Sequence, residues 1–246
     1  MKMKSCLDFG ASIFALCLSV RAADYSGNGK NGFGGPVGQG SLSLTDDGTT
    51  ISGTLTRGAG GGFNDALVLY VDSVQGGFSD TSGFADGFDG LRRAISGFDG
   101  VGNRSLLTMP SGFMPDYAIA LGPKSDNYGG LWQLANGGPN SLISISSVNL
   151  NPTGNSASST YTFSFDVSQI GLSPNSGKSI RLLGTYISDS SYRSDEALAG
   201  DVSGVQGWND FTGTIDVPYT IVPEPSTGLL FGLAALGAVL GRRRRS

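Results

Sequence analysis

Runs in which apolar and polar residues alternate recur along the chain and predict β-strands. In YTFSFDV, Tyr161, Phe163 and Phe165 share one face, while threonine, serine and aspartate share the other. The stretch TIDVPYTI repeats this period of two over residues 215–221. SLISISSVNL and SIRLLGTYIS predict shorter or interrupted strands, with a bulge at Gly184 in the second.

Other stretches predict a hairpin, a fully buried strand and a helix. SLSLTD and TISGTLT alternate on either side of an Asp47-Gly48 turn signal, which is typical of a β-hairpin. The continuous apolar run at 66–71 predicts a strand that is buried on both faces. Only DGLRRAIS has apolar residues at helical spacing. The whole pattern predicts an all-β fold: one jelly-roll-like β-sandwich domain over residues 41–222, with long Gly/Asp-rich loops and one short helix.

A Gly-Phe pair followed within three residues by aspartate recurs between residues 62 and 116. The units are Phe63/Asp65, Phe78/Asp80, Phe84/Asp86, Phe88/Asp89, Phe98/Asp99 and Phe113/Asp116. We interpret them as a long loop that its phenylalanines anchor to the core and its carboxylates stabilise by capping amides. A structural calcium ion is the alternative, with oxygen ligands from Asp80, Asp86, Asp89 and Asp99, although no EF-hand order is present. No other cofactor is predicted.

The first 22 residues predict a cleaved signal peptide. Two lysines precede an apolar run, and Val20 and Ala22 supply the small residues that a cleavage site requires. Both cysteines, Cys6 and Cys17, lie in this segment, so the mature body would have no disulfide. Residues 23–40 are rich in glycine and asparagine without periodicity, and they predict a flexible segment that leads into the domain.

The charge of the body limits its partners. Residues 23–222 contain 17 Asp and one Glu against three Lys and six Arg, a net charge of −9. A body this acidic is repelled by phosphate backbones, which argues against nucleic acid as a partner. The whole chain contains 40 glycines in 246 residues, and this composition favours turns and strands over helices.

The C-terminal residues combine a short apolar segment with a basic end. Residues 228–241 are 14 uncharged residues and predict a transmembrane helix. At ~1.5 Å per residue such a helix is about 21 Å long. A bilayer core is about 30 Å thick and requires about 20 residues, so this helix is short for a membrane anchor. The basic end consists of Arg242, Arg243, Arg244 and Arg245. By the positive-inside rule these arginines stop transfer and stay cytoplasmic, so the body would lie outside the membrane.

This ending resembles a known sorting signal. Pro223, Glu224 and Pro225, the short Gly/Ala/Leu-rich helix and the arginine cluster are similar to the PEP-CTERM signal of exopolysaccharide-producing Gram-negative bacteria. The resemblance covers only residues 223–246. It implies export by the Sec machinery, a transient inner-membrane anchor, and cleavage near the motif by an exosortase, an integral membrane cysteine protease-transpeptidase. The body would then reach the cell surface or the medium. A permanent single-pass anchor is the alternative.

The residue inventory restricts the chemistry of the body. Because the chain has no histidine, it cannot form a Ser-His-Asp triad or a histidine-containing metal site. We therefore expect a non-catalytic surface or matrix protein that associates with exopolysaccharide in a biofilm. One alternative is a carbohydrate-binding module that exposes Trp132 or Trp208, although both rings could instead pack in the core. A glycan hydrolase that uses aspartates is the second alternative, with Glu196 the only glutamate in residues 23–222.

Overall fold

The computed structural model describes residues 21–122 and 128–223, which form mostly β-strands. The strands are β1 (Arg21–Ser26), β2 (Ser41–Asp46), β3 (Thr50–Thr56), β4 (Ala66–Asp72), β5 (Leu107–Thr108), β6 (Tyr117–Leu121), β7 (Tyr128–Gln133), β8 (Ile143–Asn149), β9 (Thr160–Asp166), β10 (Ser179–Ile187), β11 (Arg193–Leu198), β12 (Gly200–Ser203), β13 (Phe211–Ile215) and β14 (Tyr219–Thr220). One α-helix, α1, spans Gly90–Ser96, and one 3₁₀ turn spans Val167–Ile170 within these ranges. The mostly β composition and the short helix are as the sequence predicts.

The strands form three sheets. The first has the antiparallel order β1-β2-β3-β9, in which β2 and β3 are the hairpin predicted around Asp47-Gly48. The second has the antiparallel order β11-β10-β4-β6-β7-β8, and β14 pairs with the beginning of β10. The third is small: β12 pairs with β13, which runs parallel to β5.

The two larger sheets share one apolar core. Tyr161, Phe163 and Phe165 of β9 are buried, and the polar residues between them are exposed, so the predicted alternation is confirmed. These side chains belong to the same buried cluster as Leu69 of β4 and Leu131 of β7, which lie on the second sheet. The core therefore fills the space between the two sheets.

The second sheet is covered on its other face as well. On that face, side chains of α1 and the third sheet, such as Ile95 and Phe211, pack with Tyr70 of β4 in a separate buried cluster. Burial on both faces explains why β4 is apolar over residues 66–71 without alternation, as predicted. Asp89 begins α1 by accepting a hydrogen bond from the Arg92 amide, and Gly97 ends it with a left-handed φ of 64°.

Two strand predictions differ from the structure. TIDVPYTI is not one strand, because β13 ends at Ile215 and Val217 is 71% exposed. Pro218 has no amide proton to donate, which is consistent with a break before β14. In SIRLLGTYIS, the irregular pairing lies between Thr185 and Ile187 rather than at Gly184, which pairs regularly with both neighbouring strands.

Residues 23–40 are also different from the prediction of a flexible segment. Most of β1 lies there and pairs along its length with β2, and Val37 is fully buried. The loop between β1 and β2 is held by backbone hydrogen bonds, such as Gly27 N to Gly40 O at 2.8 Å, and by a buried carboxylate described below. The glycines here allow backbone segments to approach one another closely. A Cβ at Gly27, for example, would lie only 2.3 Å from Gly38 O.

Several sequence predictions fall outside the described residues. These are residues 1–20 of the predicted signal peptide, Glu224 and Pro225, the apolar segment at 228–241 and the four terminal arginines. Within residues 21–122 and 128–223, no helix is both long and apolar enough to cross a bilayer.

Candidate functional site

The structure places the two tryptophans in opposite environments. Trp132 lies in β7 and is 5% exposed, within the cluster on the second face of the larger sheet. It does not present a ring face to solvent, so it does not fit the predicted glycan contact. Trp208 lies in the loop between β12 and β13 and is 44% exposed. Of the two candidates, only Trp208 is available to a ligand.

Trp208 belongs to a group of three rings that we call the aromatic surface: Phe33, Tyr192 and Trp208. The rings of Tyr192 and Trp208 meet edge to face, with centroids 5.4 Å apart and an interplanar angle of 80°. Phe33 stacks on the other side of Tyr192 at 6.0 Å and 23°. Tyr192 is 37% exposed, whereas Phe33 is partly buried against the core. The group is thus anchored at Phe33 and open at Trp208.

Backbone contacts hold the two loops that carry these rings. Arg193 and Gly207 exchange hydrogen bonds of 3.2 and 2.9 Å, which fixes Tyr192 and Trp208 side by side. The Trp208 Nε1–H donates to Ser190 O at 2.9 Å. Gly207 has a φ of 126°, and a Cβ there would lie 3.0 Å from the Asn209 amide. Glycine is therefore required at this position.

Polar groups surround the aromatic surface. Asn209 Nδ2 donates to the carbonyls of Val205 and Gln206 at 3.2 and 3.1 Å. Gln206 Nε2 lies 3.4 Å from Asp195 Oδ1, which also accepts the Gly32 amide at 3.1 Å. Amide and carboxylate groups beside exposed rings are typical of sites that bind polar ligands with an apolar face.

Glu196 fixes the loop that supplies Phe33. Its side chain is fully buried and accepts four backbone amides. Oε1 accepts from Phe33 and Gly35 at 2.6 and 3.1 Å. Oε2 accepts from Val37 and Gly38, both at 3.0 Å. Glu196 therefore holds Phe33 in position. Both of its carboxylate oxygens are used in these structural hydrogen bonds.

The sequence alone did not indicate Phe33, Tyr192 or Glu196 as part of this site. Phe33 and Tyr192 are 159 positions apart in the sequence, and hydrogen bonds between residues 28–38 and residues 195–197, those of Glu196 among them, bring their loops together. A usable signal was nevertheless present. Glu196 is the only glutamate in a body with 17 aspartates, and it directly precedes the apolar residues Ala197, Leu198 and Ala199.

The four aspartates considered as calcium ligands are each engaged in local hydrogen bonds, and two of them, Asp86 and Asp89, share Arg92 as a partner. Asp80 accepts from the Ser82 amide, and Asp89 caps α1. Asp99 accepts hydrogen bonds from three amides of the following turn and from the Asn103 side chain. Desolvation alone would raise the pKa of Asp99, but these hydrogen bonds outweigh it and hold the pKa at about 2. Asp86 is fully buried and bonds to Arg92 Nη1 at 2.7 Å. No group of three His, Cys, Asp or Glu residues suited to a metal ion occurs within the described ranges.

The phenylalanines of the same region act largely as anchors. Phe63, Phe84 and Phe113 are at most 1% exposed, which supports the interpretation that they anchor this region to the core. The region is not one long loop, because it contains β4, α1 and β5. Phe88 is the exception at 63% exposure.

Asp72 and Asp116 lie at the far end of β4 and differ from the other carboxylates. Burial raises the pKa of both groups, and the charge of Asp116 raises that of Asp72 further. Asp116 Oδ2 accepts the amides of Ser73 and Val74 at 3.3 and 3.1 Å. Asp72 Oδ2 is 3.8 Å from Arg181 Nη1. Acid-base catalysis by two carboxyl groups requires one group with a raised pKa and a second that stays ionised, and this pair supplies the first condition because both pKa values are raised.

Comparison with known proteins identifies one segment of the chain. Residues 222–245 match the PEP-CTERM protein-sorting motif. The chain therefore carries a PEP-CTERM sorting motif after a β-rich body. The motif supports an exosortase-targeted surface protein and implies export as a membrane-anchored precursor. No curated protein and no solved structure matches the chain.

Proposed function

We propose that this protein is a non-catalytic component of the cell surface or biofilm matrix that binds exopolysaccharide through its aromatic surface. The observation that carries the proposal is the exposed pair of Tyr192 and Trp208, held rigidly by the Arg193–Gly207 backbone pairing. The PEP-CTERM motif supports delivery of this surface to the outside of the cell.

The chemistry of the aromatic surface suits a sugar polymer. The C–H faces of a pyranose ring are apolar and pack on aromatic rings, while its hydroxyl groups hydrogen-bond to neighbouring amides and carboxylates. Trp208 offers the exposed ring, Asn209 and Gln206 lie next to it in the same loop, and Asp195 accepts the amide of Gly32 beside Phe33. Because the body carries a net charge of −9, we propose a neutral or amine-bearing polymer rather than an acidic one.

The Trp208→Ala variant is expected to bind the purified exopolysaccharide of the producing bacterium at least about tenfold more weakly, as expected for the loss of an exposed aromatic contact. Isothermal titration calorimetry with the wild-type and variant chains measures this change. Ile145→Ala is a matched control, since Ile145 is also exposed, at 39%. It lies on β8, at the opposite edge of the sheet from β11, five strand spacings or about 24 Å away.

Equal affinity of the Trp208→Ala and wild-type chains, with both folded by circular dichroism, would exclude the aromatic surface as the binding site. Equal losses in Trp208→Ala and Ile145→Ala would indicate nonspecific adsorption to apolar groups.

A glycan hydrolase is the second candidate, and the Asp72–Asp116 pair is the observation that favours it. Under our proposal, incubation with the polysaccharide releases no reducing sugar between pH 4 and 8. Release that Asp116→Asn abolishes, without loss of binding, would replace the non-catalytic proposal with this one. The two sites lie at opposite ends of the β4–β10 pair, so binding and hydrolysis can be separated by mutation.

A further inference from the structure

The residues that immediately precede the sorting motif are part of the folded body. β14 pairs with β10 through Thr220 and Tyr219, opposite Ser179 and Ile180. Tyr219, Ile221 and Val222 are 1%, 0% and 6% exposed. Two of them, Tyr219 and Ile221, belong to the core between the two larger sheets. The chain thus remains packed up to the first residues that match the motif.

Asp46 is the main polar contact of this segment, and we call its hydrogen bonds the Asp46 latch. Asp46 is 3% exposed and lies at the end of β2. Its Oδ2 accepts the hydroxyl of Tyr219. Its Oδ1 accepts the amides of Val222 at 2.9 Å and Gly48 at 2.7 Å. One buried carboxylate therefore connects the β2–β3 turn to both ends of the segment 219–222.

A second set of contacts covers the same segment from the loop before β10. Ile221 N donates to Lys178 O at 2.9 Å, and Pro223 forms a β-bridge with Ser176. This loop is tied to the β2–β3 turn by a hydrogen bond from Asn175 N to Gly48 O at 2.6 Å. The last described residues are thus held by backbone pairing, by burial and by the Asp46 latch together.

We propose that the Asp46 latch sets the processing boundary of this protein: the cleaved bond lies C-terminal to Val222, and residues 219–222 stay in the released body. Proteases act on backbone that is locally extended and free of hydrogen bonds. Residues 219–222 do not meet this condition while the latch is closed. This inference rests on the proposed processing of the sorting motif.

The chemistry of the cut is that of a peptide bond. Cleavage separates an acyl group, which stays on the body, from an amine, which leaves with the C-terminal tail. Water as the acceptor gives a carboxylate on the body and an ammonium group on the tail. An amine as the acceptor gives a new amide on the body instead. In both cases the new C-terminus of the body should lie at Val222 or beyond it.

The latch can be tested without the processing enzyme. The purified full chain in detergent micelles is digested with proteinase K, and the mass of the resistant body is followed over time. The wild-type body should resist trimming at residues 219–222. In Asp46→Ala these residues should be lost at least tenfold faster. Asp47→Ala is the matched control, because Asp47 is in the same turn but bonds only to the Thr49 and Thr50 amides.

Tyr219→Phe serves if Asp46→Ala does not fold, since it removes one hydrogen bond to Asp46 and keeps the buried ring. It should increase trimming at residues 219–222 by a smaller factor. Trimming of the wild-type chain upstream of Tyr219, or equal trimming of all variants, would overturn the latch.

The position of the cut is then read in the producing bacterium from the intact mass of the recovered body. A C-terminus at Val222 or beyond supports the inference, and one at any residue before Val222 overturns it while leaving the proposed processing intact. An uncleaved mass would instead contradict the proposed processing, and the proteinase K experiment would still decide whether the latch protects residues 219–222.

Discussion

The Glu196→Gln variant is expected to lose about 2–6 kcal/mol of unfolding free energy, because each buried amide that loses its acceptor costs about 1–3 kcal/mol. Glutamine places an NH₂ group where Glu196 presents a second oxygen, so two of the four backbone amides lose their acceptor. Because Glu196 is fully buried, water cannot replace the lost bonds. Urea denaturation followed by circular dichroism measures the change in midpoint.

The control for this variant is Asp210→Asn, which also removes one negative charge but at an exposed position. It should leave the urea midpoint unchanged. If Glu196→Gln also unfolds at the wild-type midpoint, the loop that contains Phe33 is not held by this carboxylate. A folded Glu196→Gln chain should bind polysaccharide more weakly as well, since Phe33 supports Tyr192.

The Asp86→Asn variant is expected to lose about 2–4 kcal/mol for the same physical reason. Asp86 is fully buried, and it pairs with Arg92 while accepting the amides of Asn140 and Leu142 at 3.0 and 3.1 Å. The substitution removes the buried charged partner of the largely buried Arg92 guanidinium and leaves only Asp89, which is half exposed and lies 3.2 Å from Arg92 Nε. Thermal unfolding at pH 7 measures the effect, with Asp24→Asn, at an exposed position, as the control.

The Asp86 carboxylate should also make the stability of the protein depend on pH. Burial by itself would raise the pKa of Asp86, but the Arg92 hydrogen bond and three backbone amides overcome it and hold the pKa below its ordinary value. The unfolded chain therefore takes up a proton first, at a pKa of about 3.9. Stability from Asp86 is fully present above that pH and is lost as the pH falls through the folded pKa.

Urea midpoints between pH 2 and pH 7 test this dependence. Wild-type stability should fall below about pH 4, and the fall should be smaller in Asp86→Asn, because the neutral side chain has no proton to bind. Parallel pH curves for the two chains would show that other carboxylates control the acid response.

Local patterns in the sequence were sufficient for several strands and for the destination of the protein. The alternation in β9, the Asp47-Gly48 hairpin and the continuous apolar run of β4 each depend on side chains within a few positions of one another. The sorting motif is likewise a contiguous segment, matched at residues 222–245. Such features need no information about distant parts of the chain.

Other features depended on contacts between distant residues. TIDVPYTI has a strand pattern, yet it leaves the third sheet after Ile215 and pairs with β10 of the second sheet from Tyr219, whose hydroxyl donates to Asp46. The glycine-rich residues 23–40 carry no periodic pattern, but the Glu196 carboxylate orders their backbone amides. In both cases contacts with distant elements set the local structure, and each includes a buried carboxylate: Asp46 for the first segment and Glu196 for the second.

The candidate site shows the same division. The sequence by itself determined a mostly β body with two tryptophans and a C-terminal sorting motif. The spacing of apolar residues in a strand and the order of residues in a motif each depend only on neighbouring positions in the chain. Only the tertiary structure decided that Trp132 is buried, that Trp208 is exposed beside Tyr192, and that Asp86 pairs with Arg92. Burial and pairing are set by which strands meet across the sheets, and a buried charge is stable only where the fold supplies its partners.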